Sequence, residues 1–239
     1  MKLLPEQIAA KLSERVILGV YKPGDRLIEA GLSAEFGVSH GPIRDALRML
    51  QASGLVTIHP YRGAHVTLLS VREVRELYQV RAALVSIRAR WIAEDPNRSE
   101  ILSQVQEPLR RLPALAQKAA DAEKFIAETF RINSALTESL PNRWLRSTIQ
   151  AITLQTNRYS HLALVASAER RVESAHLWRM LVDAMTVGDG DLSEKVAATL
   201  SLTARDAAVK YLEQKASPAA SEAAARPRKR AASATEMET

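Results

Sequence analysis

The stretch LSAEFGVSHGPIRDALRMLQASG, residues 32–54, decides the fold of the N-terminal part of this 239-residue chain. Its composition predicts a short helix that ends at Gly37 and a second helix that begins near Ser39. The second helix has apolar residues at the spacing of a core-facing stripe, namely Ile43, Ala46, Leu47 and Leu50. The opposite face carries donors, charge and one position without a side chain: His40, Gly41, Arg44, Arg48 and Gln51. This layout predicts a helix-turn-helix that reads a DNA major groove; the alternative is a solvated amphipathic helix.

Composition limits the classes of protein to which the chain can belong. Its length favours two domains, and an apolar content of 46% is sufficient for packed cores. No apolar run is long enough to cross a membrane, and the N-terminus lacks the pattern of a secretory signal. The chain has no cysteine, which excludes disulfides, thiol catalysis and cysteine-ligated zinc. We therefore expect a cytoplasmic protein without a membrane partner.

The net charge of +6 and the pI near 9.7 favour a polyanionic partner only mildly. Residues 1–69 hold eight Lys and Arg against six Asp and Glu, so this part has a net charge of only +2. Affinity for nucleic acid must therefore depend on where the charges lie.

A predicted β-hairpin follows the helix-turn-helix. Residues 55–58 and 64–69 are aliphatic and β-branched, and they flank the turn-rich segment 59–63, with Gly63 at the tight bend. A helix-turn-helix followed by a hairpin is a winged helix. Arg62 at the tip of the wing is placed to contact a phosphate or the minor groove, or else it is an ordinary exposed loop arginine.

Residues 17–66 resemble the N-terminal domain of GntR-family transcriptional regulators. The matching residues are Leu18-Gly19, Pro23-Gly24, Leu27, Glu29, Leu32, Phe36-Gly37-Val38-Ser39, Pro42, Arg44, Ala46-Leu47, Leu50, Gly54-Leu55-Val56 and Gly63. The resemblance implies binding of a double-stranded DNA operator, with contacts from Ser39, His40, Gly41 and Arg44 and with Gly63 at the wing tip. Where the family usually has Ser-Arg-Thr-Pro, this chain has Ser39-His40-Gly41-Pro42. Since histidine lacks the bidentate fork that arginine presents to guanine, we expect an operator that differs at the base facing His40.

The segment 70–215 predicts an all-α, six-helix antiparallel bundle with a central cavity, so the whole chain is expected to be mainly α. The predicted helices span residues 70–94, 98–119, 121–139, 141–165, 167–187 and 191–215. Residues 216–239 are rich in Ala, Ser, Pro and charge, and they predict a disordered tail with a basic cluster at 226–230.

The helical segment resembles the FadR C-terminal (FCD) type of GntR regulator. The resemblance is carried by Leu77-Tyr78-Gln79-Val80-Arg81, Phe130-Arg131, Asn142-Arg143-Trp144-Leu145, Asp183-Ala184-Met185 and Gly188-Asp189. Many such domains hold a metal through one Asp and three His, but the Asp-x-x-x-His pair falls here on Ala127 and Arg131. A later ligand falls near Trp178, and the segment contains only two histidines, His161 and His176. We therefore expect no metal cofactor.

A fixed positive charge can replace the metal in binding an acidic effector. The hypothesis assigns this role to Arg131, assisted by a polar set comprising Arg81, Asn133, Asn157, Arg158 and His161. The alternative is that Arg131 reaches solvent or pairs with a nearby carboxylate.

The functional prediction is a homodimeric transcription factor, by default a repressor, whose operator binding responds to a small acidic metabolite. An architectural DNA-binding protein with a purely dimerising helical half is the first alternative. An enzyme with a DNA-targeting domain is the second, although no catalytic motif supports it.

Overall fold

The computed structural model describes residues 3–225, with side chains described as far as residue 214. The N-terminal domain contains α1 (Leu4–Ile17), β1 (Arg26–Leu27), α2 (Glu29–Phe36), α3 (His40–Ala52), β2 (Val56–His59) and β3 (Gly63–Val66). The helical domain contains α4 (Val71–Glu94), α5 (Arg98–Ser103), α6 (Gln106–Ala116), a 3-10 turn (Ala119–Asp121), α7 (Ala122–Glu138), α8 (Arg143–Ala166), α9 (Ala168–Val187) and α10 (Gly190–Ala225).

The winged helix-turn-helix is confirmed. Gly37 adopts the left-handed conformation, with φ of 66°, and ends α2 so that the chain can turn into α3. The predicted hairpin forms from β2 and β3, and β1 adds a third antiparallel strand in the order β1-β3-β2. All four residues of the predicted α3 stripe are buried, and they pack with residues of α1 such as Leu12 and Val16. The hydrophobic spacing therefore determined which face of α3 is left exposed.

The described part of the helical domain contains one more α-helix than the sequence predicted. The segment expected as one helix over 98–119 is divided into α5 and α6 around Gln104 and Val105. Pro108 lies in the first turn of α6 and lacks the N–H that would donate to the carbonyl of Gln104, which favours a break at that point. The other predicted breaks, at 95–97, 119–121, 140–142, 165–168 and 188–190, coincide with helix ends.

The C-terminal helix is longer than the sequence indicated. Helix α10 continues to Ala225, so the backbone of residues 216–225 is helical where a disordered tail was expected. The high helix propensity of this alanine-rich segment accounts for the difference. The basic cluster at 226–230 and the rest of the predicted tail lie outside the described residues.

Helix α8 joins the two domains. Its Leu154 packs against the N-terminal core, and the Arg158 guanidinium donates a 2.7 Å hydrogen bond to the carbonyl of Thr67, just after β3. Gln155 packs closely on Gly54, where an added Cβ would lie 2.7 Å from the Gln155 Cδ. Among the described residues, no helix has the length and apolarity needed to cross a membrane.

Candidate functional site

The N-terminal end of α3 is an exposed polar surface. Ser39, His40 and Gly41 are all exposed, and Ser39 is the N-cap residue by backbone conformation. The Ser39 side chain makes no capping hydrogen bond within the described structure, so its hydroxyl is available to an external acceptor or donor. The His40 Nδ1 lies 3.3 Å from the Ser33 hydroxyl on α2, which orients the ring beside the turn. A helix N-terminus of this kind suits a phosphate group.

The two arginines of α3 are exposed and held by surface ion pairs. The Arg44 Nε donates to Glu29 at 2.7 Å, and the Arg44 side chain is 60% exposed. Arg48 lies 3.6 Å from Asp45 and is 72% exposed. Because exposed ion pairs contribute at most about 1 kcal/mol, either guanidinium can exchange its carboxylate for a phosphate or a base edge at little cost.

The tip of the wing contains a residue that the sequence interpretation missed. The turn 59–63 is closed by the Arg62 N–H, which donates to the His59 carbonyl at 3.2 Å. Tyr61 occupies the turn with φ of 62°, the only positive φ of a non-glycine residue in the described chain, and its side chain is fully exposed. Arg62 and Gly63 are exposed beside it, and Gly63 has φ of 82°. The signal that the sequence offered was Pro60 before Tyr61, typical of a type II turn whose third position requires positive φ.

A narrow cavity lies between α4, α7, α8, α9 and α10. It has a volume of about 50 Å³, enough for a few water molecules, and two arginines contribute to its lining. The lining residues are Arg81, Thr129, Phe130, Asn133, Asn157, Ser160, Ala163, Leu164, Arg170, Ser174, Trp178, Leu200 and Ala204. This set of described residues contains no Asp or Glu, so the cavity is electropositive.

The two arginines that line the cavity have few negatively charged neighbours. The described partner of Arg81 is a neutral hydroxyl group, and that of Arg170 is a carboxylate that solvent partly screens. Arg81 donates to the hydroxyl of Ser201 at 3.2 Å, and its Nε has no hydrogen-bond partner in the described structure. Burial lowers the pKa of Arg81, because the charged form loses its hydration. Burial also lowers the pKa of Arg170, whose guanidinium pairs with the half-exposed Glu173 at 2.9 Å.

A third arginine, fully buried, lies behind the cavity wall. Arg88 donates to the Asn133 side chain at 3.0 Å and to the Thr137 hydroxyl. Burial, together with repulsion from Arg81, lowers the pKa of Arg88 to about 9. All its described hydrogen-bond acceptors are neutral, so the positive charge of this region is not cancelled from behind.

A wider groove of about 350 Å³ adjoins the cavity on the outer side of α7 and α8. The groove and the cavity share three lining residues, Phe130, Asn133 and Asn157. Polar side chains dominate the rest of the groove, which includes Arg131, Ser134, Thr137, Gln150 and Thr153. Together the two spaces offer a charged inner end and a hydrogen-bonding outer end.

The predicted effector residues are divided between these spaces and other locations. Arg81, Asn133 and Asn157 line the cavity. Arg131 lies at the outer groove, is 62% exposed, and pairs with Glu128 at 3.0 Å, which is the alternative considered for it. Arg158 and His161 line neither space.

These two residues have other partners because successive residues of α8 face in different directions. Arg158 is directed towards the domain junction, where it contacts Thr67 and the Tyr159 hydroxyl. The His161 Nε2 lies 3.0 Å from the Glu123 carboxylate.

The inward-facing pair on α7 is not the pair that the resemblance implied. Ala127 and Arg131 are exposed, whereas Thr129 and Asn133, also four residues apart, line the cavity beside Trp178. Neither a threonine nor an asparagine is a usual ligand for a transition metal. The described residues contain no cluster of three or more His, Cys, Asp or Glu with the geometry of a metal site.

Comparisons with known proteins agree with this architecture. Residues 4–66 match the family described as bacterial regulatory proteins, gntR family, and residues 76–202 match the FCD domain. The chain belongs to the GntR family. It is a DNA-binding transcriptional regulator of the FadR subfamily, with an FCD C-terminal domain, and not an enzyme.

Relatives of the GntR chain include repressors of sugar-acid operons. The galactonate operon transcriptional repressor of Escherichia coli is 26% identical over 215 residues, which cover 82% of this chain and 92% of that protein. The gluconate operon transcriptional repressor of Bacillus licheniformis is 27% identical over 139 residues, which cover 58% of this chain and 56% of that protein. The solved structure of E. coli McbR/YncC superposes with a TM-score of 0.72 at 20% identity, and the match covers 93% of this chain and all of that one.

Proposed function

We propose that this regulator is a homodimeric repressor that acts in the cytoplasm and is controlled by a small sugar acid bound in the helical domain. The carboxylate enters the inner cavity and pairs with Arg81 and Arg170. The hydroxyl groups of the effector extend into the outer groove, where they bond to Asn133 and Asn157. The observation that carries the proposal is a cavity lined by one buried and one partly buried arginine, Arg170 and Arg81, and by no carboxylate among the described residues.

The electrostatics of the cavity support an anionic ligand. A buried guanidinium without a counter-ion destabilises the folded protein, and a carboxylate relieves that cost through charge-assisted hydrogen bonds. The small inner volume favours one compact acidic group over a long acid chain. The two repressors named above regulate galactonate and gluconate operons, and both of these compounds combine one carboxylate with several hydroxyl groups.

The path from effector to DNA runs through α8. Asn157 and Ser160 face the cavity, whereas Gln155 and Arg158 on the same helix contact the N-terminal domain. A ligand that displaces α8 therefore changes the placement of α3 relative to the rest of the molecule. To act, it must bind one placement more tightly than the other.

An apolar stripe on α4 supports a homodimer. Val80, Ile87 and Trp91 are each at least 39% exposed, and the half-buried Leu84 lies between them. These residues recur every three or four positions and form one face of the helix, which a second copy would cover. Two copies of α3 would then occupy successive major-groove faces, about one helical turn apart.

Calorimetry with D-galactonate and D-gluconate tests the effector site. We expect at least one acid to bind, and Arg81→Met to weaken binding about 30-fold because a charge-assisted bidentate contact is lost. Arg110→Met is the matched control, since this arginine is exposed, pairs with Glu107 and lines neither the cavity nor the groove; the affinity of this variant should change by less than about threefold. Uncharged D-galactose should not bind. Equal affinities of the wild type and Arg81→Met would remove the cavity from the proposal.

A footprint on an operator fragment selected with the purified protein tests the DNA function. We expect protection of a roughly palindromic site that the acid relieves. Sequence-independent binding with a steep salt dependence would instead indicate an architectural protein.

A further inference from the structure

A second and larger cavity lies at the junction of the two domains. Its volume is about 790 Å³, within the range of sites for small organic ligands. The N-terminal domain contributes residues of α1 and the end of α3, and the helical domain contributes residues of α7 and α8. The lining residues are Glu6, Ala9, Ala10, Ser13, Glu14, Ile17, Leu18, Met49, Leu50, Ser53, Glu123, Ile126, Ala127, Phe130 and Leu154.

The walls of this junction cavity are mainly apolar. Leu18 and Met49 are large apolar residues that remain 45% and 42% exposed, and both line it. Ile126 and Phe130 form part of the opposite wall. A concave apolar surface of this kind favours a hydrophobic ligand over water.

Carboxylates line the junction cavity, whereas arginines line the smaller cavity that contains Arg81. Glu6, Glu14 and Glu123 line it, and its described lining contains no Lys, Arg or His. Glu6 accepts the Leu3 backbone N–H at 3.0 Å, and Glu123 faces His161 Nε2 from the other side. The Glu14 carboxylate is exposed and has no side-chain partner among the described residues. Three carboxylates around an apolar space favour a ligand that carries a positive charge.

We propose that the junction cavity binds a hydrophobic cation, such as an aromatic or alkylated amine, at a site separate from the sugar-acid cavity. The apolar body of the ligand contacts Leu18, Met49 and Ile126, and its charged group lies near Glu14 and Glu123. A ligand in this position contacts both domains at once. Its binding does not depend on Arg81.

A pair of xanthene dyes of similar size and opposite charge tests the proposal on the purified full-length protein. Rhodamine 6G is the cationic probe and fluorescein the anionic one, and fluorescence anisotropy measures binding of each in the absence of DNA. We expect rhodamine 6G to bind at least about tenfold more tightly than fluorescein, because only the cation gains from the three carboxylates.

Three substitutions locate the binding. Ala10 and Ala127 are exposed alanines on opposite walls of the cavity, so Ala10→Trp and Ala127→Trp fill the space without disturbing either core. Each should weaken rhodamine 6G binding about tenfold or more, and Glu14→Gln should weaken it about threefold to tenfold. Glu169→Gln, an exposed carboxylate outside the lining, is the matched control and should have no effect.

Two results would overturn the proposal. One is an unchanged rhodamine 6G affinity in both tryptophan variants whose circular dichroism matches that of the wild type. The other is equal affinity for the two dyes. Arg81→Met should retain rhodamine 6G binding, so the sugar-acid site and this site can fail independently.

Discussion

The arginines of α3 and those in and behind the cavity of the helical domain are held in opposite ways. Arg44 and Arg48 on α3 are exposed and form ion pairs that solvent screens, so the carboxylate partner can be exchanged for DNA. Arg81, Arg88 and Arg170 are enclosed by helices, and burial lowers the pKa of each. An exposed arginine loses little when it exchanges its partner, whereas the desolvation of Arg81, which has no carboxylate partner in the described structure, has an electrostatic cost that an anion can relieve. In our proposal, the difference separates a surface that binds DNA from a cavity that binds a small acid.

The largest expected effect is on operator binding, when an exposed arginine of α3 is replaced. Arg44→Ala should weaken operator binding about 100-fold or more in a gel shift, because a dimer loses two contacts of about 1–3 kcal/mol each. Arg110→Ala is the matched control: Arg110 is also an exposed, ion-paired arginine, but it lies on α6. An operator affinity unchanged by Arg44→Ala would exclude α3 as the reading helix.

Replacing two arginines of the helical domain, Arg171 and Arg81, should change the free energy of unfolding in opposite directions. Arg171 is buried and donates to the carbonyls of Ala116 and Leu164 at the ends of α6 and α8. Arg171→Met should lower the free energy of unfolding by about 3 kcal/mol, since these carbonyls lose their partner. Arg81→Met should instead raise it by about 1 kcal/mol in the absence of effector, because a partly buried, desolvated charge is replaced by an apolar side chain. Urea denaturation measures both, and destabilisation of equal size would show that Arg81 is structural.

The link between the domains should depend on Arg158. Replacement by methionine removes the hydrogen bond to the Thr67 carbonyl but leaves the cavity residues in place. We expect effector affinity to stay within about twofold, while the effector's weakening of operator binding falls about fivefold. Calorimetry and gel shifts on the same preparation give both quantities. Full effector response in Arg158→Met would show that coupling takes another route.

The smallest effect is expected at the wing. Tyr61→Gly should stabilise the protein by about 0.5–1 kcal/mol, since glycine adopts positive φ without strain. If the exposed ring contacts DNA, operator affinity should fall about threefold in the same variant. Pro60→Ala, which leaves the ring in place, serves as the control. Stabilisation without any loss of affinity would make Tyr61 a turn residue only.

Local patterns predicted most of the elements. The helix ends at Gly37, Gly54 and Gly188 were predicted because glycine tolerates positive φ, and each of these glycines adopts it. The apolar spacing of α3 predicted its buried face and hence the outward direction of Arg44 and Arg48. The interruption between α5 and α6 was missed, because Pro108 in the first turn of a helix is compatible with a break but does not require one.

The lining of the cavity in the helical domain was predicted only in part. Arg81, Asn133 and Asn157 were selected correctly as cavity residues, but Arg131 was given the central role and Arg170 and Ser160 were overlooked. An assignment by resemblance places a residue to within about half a helical turn. Because successive residues on a helix differ by about 100° in direction, an error of two positions changes an inward residue into an outward one.

The sequence by itself determined the winged helix, the helical nature of the second domain and the exposed polar face of α3. These features depend on residues close together in the chain, whose spacing and turn chemistry act locally. Only the tertiary structure decided that Arg81 and Arg170 share a cavity, that Arg158 contacts the N-terminal domain, and that the junction cavity lies between the domains. These arrangements bring together residues from separate helices, and the rotation of each helix about its axis is fixed by packing against all the others.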